Sequence, residues 1–283
     1  MTTNGFLRFR PDMMRSPAAS TDLEAGLRHA VERHEIVVHY QPIVNITVGS
    51  ATQVEALVRW HRADELIPPL DFIPAAESSG LINTLGQAIL ELACSQVRDW
   101  LAGDEARSVA VNVSAVQLRE PDFARDILTI LAATGVDPRQ LIIEVTESAC
   151  LGSPRRVIEQ LSHMRERGIR VALDDFGTGY STLARLRELP VDIIKVDKSF
   201  IDEVKTGREN LPILNSIIDL GHTLGLHVTV EGVETATQAR QLRRLGSDSM
   251  QGFYFGRPSP VEFLADMEWQ ATNAYRQLTP ASH

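Results

Sequence analysis

Apolar positions along the chain gather into short runs of strand length. They are "IVVHYQPIV" (36–44), "QVEALVRW" (53–60), "SVAVNVS" (108–114), "LIIEVTE" (141–147), "RVALDD" (170–175), "DIIKVD" (192–197), "HVTVEGV" (227–233) and "SMQGFYF" (249–255). Most of the gaps hold apolar residues at spacings of three and four, as in "LGQAILELACSQVRDWL" (85–101) and "RRVIEQLSHMRERG" (155–168), the period of a helix with one buried face. Eight strands alternating with helices predict an α/β closed barrel rather than an open doubly wound sheet. One gap breaks the alternation: only "NITVGSATQ" or so separates the first strand from the second. A parallel crossover needs roughly a dozen residues or more, whereas a hairpin needs only a few. The expected fold is therefore a modified TIM (β/α)8 barrel with the first strand antiparallel. A helix over "DLEAGLRHAVERHE" is expected to start at an N-cap on Ser20 or Thr21. Residues 1–20 read as an N-terminal tail or linker, 21–275 as the barrel and 276–283 as a C-terminal tail.

Composition narrows the class without naming a reaction. The 283 residues are 43% hydrophobic and 23% charged, as in globular proteins, and no apolar run approaches the length of a membrane span. The first twenty residues lack the apolar stretch of a secretory signal, which gives the expectation of a cytoplasmic protein with no membrane segment. A net charge of −9 argues against a nucleic-acid polymer as partner, since duplex binding needs a basic face. Cys94 and Cys150, both in apolar surroundings, read as small core residues.

The polar residues embedded in the strands carry the chemistry. Glu55 lies in the second strand, Asn112 in the third and Glu144 in the fourth; Asp174 and Asp175 end the fifth, Lys195 lies in the sixth and Glu231 in the seventh. Helices cover the outside of such a barrel, so these side chains must point inward or towards the strand ends, where barrel enzymes build their sites. Converging carboxylates repel one another unless cations hold them. All-oxygen donors suit Mg²⁺ or Mn²⁺, and sometimes Ca²⁺. The adjacent Asp174 and Asp175 can serve two ions, which would clamp a phosphodiester and activate a water. Lys195 could position that water, help deprotonate it if its pKa is depressed, or simply balance charge. Ca²⁺ is expected to bind but to support little chemistry, and so to inhibit.

With these residues in view, the chain resembles the EAL-domain family of cyclic di-GMP phosphodiesterases over about residues 22 to 270. The tripeptide "EAL" stands at 55–57. It is accompanied in order by "YQPI" (40–43), "FIPAAE" (72–77), "VNVS" (111–114), "EVTES" (144–148), "DDFGTGYSTL" (174–183), "IKVDKSFI" (194–201), "VEGVET" (230–235) and "QGFYFGRP" (251–258). The resemblance implies a barrel with one antiparallel strand and a ligand set of Glu55, Asn112, Glu144, Asp174, Asp175 and Glu231 for two ions. It also gives Lys195 the water-activating or water-orienting role, with Glu234 as an auxiliary acid. Gln41, Leu57, Arg59 and Gln251 are implied as substrate contacts, and Asp197 as a support for Lys195 or the substrate. The loop with Gly177 and Gly179 is similar to the family's mobile sixth loop, with Glu147 as its anchor. Implied partners are cyclic di-GMP, cleaved to the linear dinucleotide with a 5′-phosphate, and a second copy of the chain in a homodimer. The segment after the fifth strand is a candidate dimer interface. Gln53 stands where a glycine is common in the family, and Thr182 where a serine is usual; neither is a ligand. No cyclase motif or sensory domain is recognisable in the sequence.

Two other readings compete. A non-enzymatic cyclic di-GMP receptor would be expected to lack a ligand or the lysine, and all are present here. A barrel enzyme acting on another phosphate ester remains open, because a fold does not fix a substrate.

Overall fold

The computed structural model describes residues 17–63, 65–102, 107–151, 155–177, 186–202 and 211–278. Helix α1 (Pro17–Ala30) leads into a hairpin of β1 (Ile36–Asn45) and β2 (Ser50–Arg62), which carries the short strand β3 (Glu65–Ile67). There follow α2 (Pro69–Ser78), α3 (Ile82–Leu101), β4 (Ser108–Asn112), α4 (Ala115–Leu118), α5 (Phe123–Thr134) and β5 (Leu141–Thr146). The chain continues through α6 (Glu147–Leu151), α7 (Arg155–Glu166), β6 (Arg170–Phe176), β7 (Ile193–Val196), α8 (Ser199–Asp202) and α9 (Leu211–Thr223). Last come β8 (His227–Val230), α10 (Ala236–Leu245), β9 (Ser249–Gln251), β10 (Ser259–Pro260) and α11 (Leu264–Arg276).

Strands β2, β4, β5, β6, β7, β8 and β9 run parallel in that spatial order, and β1 closes the ring by pairing antiparallel with both β2 and β9. The reversed first strand follows from its loop. Only residues 46–49 join Asn45 to Ser50, and Gly49 turns the chain at φ 74° with its N–H on Asn45 O. A connection so short can make a hairpin and nothing else. Strands β3 and β10, too short to leave a periodic signal, extend the sheet beside β2 and β1. The first helix is already formed at Pro17, ahead of the cap expected at Ser20 or Thr21.

Alternation along the strands sorts side chains into two compartments. Outward residues such as Val54, Ala56, Trp60, Val109, Val111, Ile143 and Leu173 pack under the helices in the main core. Inside the barrel, Ala110, Ile142, Ala172 and Ile193 form a separate apolar layer. One step further along the same strands, towards their C-terminal ends, come Asn112, Glu144, Asp174 and Lys195. The apolar layer is thus a floor, and the polar residues stand on it. Cys94 and Cys150 are buried and free, their thiols pushed up by burial to about 12 and about 11 respectively. Among the described residues no helix is long and apolar enough to cross a membrane.

Candidate active site

Seven strand ends deliver the polar residues to one rim. Lys195 Nζ, only 2% exposed, lies 2.7 Å from Glu144 Oε2 and 2.7 Å from Glu231 Oε1. Asp174 Oδ1 and Glu55 Oε2 stand at 3.4 and 3.5 Å from the same nitrogen. Glu55 is held from two more sides: Asn112 Nδ2 donates to Oε1 at 2.7 Å and Gln251 Nε2 to Oε2 at 2.6 Å. Gln251 Nε2 also reaches Gln41 Oε1, and Gln41 Nε2 in turn donates to Gly256 O.

The electrostatics follow from burial set against neighbours. Burial alone would raise Glu55, but Lys195 and the hydrogen bonds from Gln251 and Asn112 outweigh it and hold the carboxyl below its usual range. Glu144, fully enclosed, is pushed well above it by burial, against the pull of Lys195 and with repulsion from Glu55, Asp174 and Glu231 adding to the shift. Burial also raises Glu231 to about 7, opposed by Lys195 and aided by Asp174. At Lys195 burial favours the neutral amine, yet Glu144, Glu231, Glu55 and Asp174 together hold it well above its ordinary value. These carboxylates alone do not meet the condition for a basic lysine, a depressed pKa; divalent cations held by the same carboxylates would push it back down.

Adjacent strand residues normally face opposite sides, so Asp174 and Asp175 reaching one rim needs a local device. It is visible at the end of β6. The pairing with β7 shifts register between Leu173 and Phe176, and Asp175 adopts left-handed backbone at φ 54°. Aspartate tolerates that conformation better than most side chains. The kink turns Asp175 to the rim, where it and Asp174 line the same cavity, and burial with the charges of Asp174 and Asp197 raises its pKa. Gly177 follows at φ 96°, so close to the Phe200 ring that any Cβ would meet it at 2.6 Å. Its N–H donates to buried Glu147 Oε2 at 3.2 Å. Gly179 and Thr182 lie outside the described residues.

The remaining candidates are spread around this centre. Leu57 is partly buried and lines a cavity of about 400 Å³ with Ile73, Ile82, Asn112, Asp174 and Asp175. Arg59 donates to Val58 O at 2.8 Å, and burial, against the attraction of Glu55, lowers its pKa. Asp197 Oδ1 accepts from Ser199 N at 2.9 Å. Glu234 is exposed in the loop after β8, with its backbone N–H on Gln238 Oε1. One bond at the cavity wall had no counterpart in the sequence reading: Ser114 Oγ donates to Glu77 Oε1 at 2.5 Å.

Among the described residues no three His, Cys, Asp or Glu side chains are already drawn together as a metal cage. The donor set nevertheless fits a hard cation. It is entirely oxygen, and Glu144 Oε1 is buried with no hydrogen-bond partner, an acceptor without a donor. Among the described residues Asp174 Oδ1 and Glu231 Oε1 likewise have no hydrogen-bond partner, and each forms an ion pair with Lys195.

This geometry agrees with the family to which the sequence belongs. The profile of the EAL domain matches residues 24–258, so the chain is a member of the EAL-domain family. It is 41% identical over 266 residues to the bifunctional diguanylate cyclase/cyclic di-GMP phosphodiesterase MucR of Pseudomonas aeruginosa, a match covering 92% of this chain and 38% of MucR. It is 38% identical to the cyclic di-GMP phosphodiesterase NbdA of the same organism, covering 92% of this chain and 34% of NbdA. The chain thus spans little more than a third of either relative. A solved structure of the PaMucR phosphodiesterase in complex with c-di-GMP superposes with a TM-score of 0.81 at 41% identity, covering 86% of this chain and 99% of that one.

Proposed function

We propose that this chain is a metal-dependent phosphodiesterase that hydrolyses cyclic di-GMP to linear 5′-pGpG, as the names of MucR and NbdA and the PaMucR complex suggest. The observation that carries the reading is the gathering of Glu55, Asn112, Glu144, Asp174 and Glu231 about the Lys195 ammonium, with Asp175 kinked to the same rim. Glu55, Asn112, Glu144, Asp174, Asp175 and Glu231 would hold two Mg²⁺ or Mn²⁺ ions, and Ca²⁺ would inhibit. When bound, such ions polarise the phosphodiester and lower the pKa of the attacking water.

In the reaction a water oxygen bonds to phosphorus and the P–O3′ bond breaks. The 3′ oxygen takes up a proton, leaving a linear dinucleotide with a 5′-phosphate. Lys195 takes the water-activating or water-orienting role, and the proton that the water gives up balances the one that the 3′ oxygen takes up. Asn112 and Gln251 fix both oxygens of Glu55, and Gln251 Oε1, buried and unpartnered, is left as an acceptor for the substrate. Gln41 supports Gln251, Leu57 contributes apolar wall, and Arg59 presents forked donors to a phosphate. Asp197 supports the lysine strand end, Glu234 serves as auxiliary acid and Glu147 anchors the loop at Gly177. The barrel of residues 21–275 would act in the cytoplasm as a homodimer.

The test is incubation with cyclic di-GMP and Mg²⁺ or Mn²⁺, with and without chelator, and identification of the product. Linear 5′-pGpG formed only with metal is expected. Tight binding without turnover would instead establish a receptor.

A further inference from the structure

The hydroxyl of Ser114 has one proton and gives it to Glu77 Oε1 at 2.5 Å, a charge-assisted bond at the short end of its range. Its lone pair accepts Val116 N at 3.1 Å as the N-cap of α4, so both directions of the hydroxyl are fixed. Gln117 completes the turn by accepting Ser114 N through Oε1. Gln117 is buried, and its side chain lies so close over Gly86 of α3 that no Cβ would fit there. The turn is therefore bolted to α2 through Glu77 and to α3 through Gln117. Two residues before Ser114 stands Asn112, whose amide holds Glu55, and between them Val113 N donates to Glu144 O at 2.8 Å.

Nothing in the packing of α2 requires a carboxylate at position 77. Its buried face is made by Phe72 and Ala76, whereas Ile73 and Glu77, one turn apart, face the cavity. We propose that Glu77 is a positioning residue: through Ser114 it fixes the end of β4, and so the angle at which Asn112 meets Glu55 and a bound cation. This rests on the metal-dependent reading above. Groups that orient metal ligands typically change metal affinity by 10–100-fold when lost.

The experiment measures Mn²⁺ binding by electron paramagnetic resonance without substrate, beside kcat, KM and chelated-state melting, for wild type, E77Q, E77L, S114A and the E77L/S114A pair. E77L and S114A should each weaken Mn²⁺ binding about tenfold and lower kcat with KM little changed. The pair should be no worse than S114A alone, because S114A already removes the bond to Glu77 together with the cap on Val116 N. E77Q keeps an acceptor and should recover most of the affinity, which a loss of general stability would not allow. Mn²⁺ affinity unchanged within twofold in both E77L and E77Q overturns the proposal even if E77L melts early. A raised KM with unchanged Mn²⁺ affinity overturns it too, by placing Glu77 on the substrate. Wild type that binds no Mn²⁺ would overturn the metal reading itself, and this proposal with it.

Discussion

Two carboxylate oxygens at 2.7 Å and two more within 3.5 Å fix Lys195 Nζ in the middle of the polar rim, where the proposed reaction places the water. Lys195→Ala should therefore lower kcat by roughly 10²–10⁴, the span of positioned proton and hydrogen-bond groups, while KM for cyclic di-GMP stays within a few-fold. A raised KM with normal kcat would make it a substrate-binding group instead. Glu55→Ala should cut turnover by orders of magnitude and weaken metal occupancy, measured by Mn²⁺ binding. Strand alternation made Glu55, Asn112, Glu144, Asp174, Lys195 and Glu231 legible in the sequence, because a period of two carries side-chain direction with it. Asp175 was expected at the strand end beside Asp174, but alternation alone sends it outward, and the left-handed backbone at φ 54° brings it round. Glu77 stood in the sequence only as the end of "FIPAAE", with no role assigned, since its meaning lies in a bond to Ser114, 37 residues away.

Among the elements, the loop that leaves β6 starts on a hydrogen bond to a neighbouring helix, the acceptance of Gly177 N by Glu147 Oε2 at the start of α6. Glu147→Ala leaves every proposed metal ligand in place, yet it frees the backbone just past Asp174 and Asp175. Displacing a reacting group by about 1 Å can lower rates on the order of 10²-fold, so a Mg²⁺ titration of activity should show weaker apparent affinity and a lower maximum in a variant that still melts as a folded barrel. Unchanged metal dependence would show that the loop needs no such support. The reversed first strand was legible because a connection's length limits its topology. The end of β9 was not: the apolar run to residue 255 looked like strand, but pairing stops at Gln251, where Gly252 packs directly against the Val233 backbone.

Over the whole molecule, the inward polar rim sets an acid dependence that metal should reverse. Glu231 has an ordinary pKa of 4.5 and is raised by burial to about 7 in the folded chain, which therefore binds its proton more tightly than the unfolded chain does. For a group shifted this way, the stability it contributes is complete below about 4.5 and is lost as pH rises through about 7. Glu144, also raised, acts in the same direction. Chelated protein should accordingly melt at a lower temperature at pH 8 than at pH 5.5 as far as these two groups govern it. Mg²⁺ or Mn²⁺ should restore more at pH 8, because cations and protons compete for the same oxygens. A ligand at one hundred times its Kd stabilises the folded state by about 2.7 kcal/mol. Spread over a chain of this size, that corresponds to roughly 4–5 °C. Melting curves at the two pH values, with chelator and then with saturating Mn²⁺, check both signs at once. A metal-induced rise that is equal at pH 5.5 and 8, or larger at 5.5, would mean that the buried carboxylates of the rim are not where the cation binds.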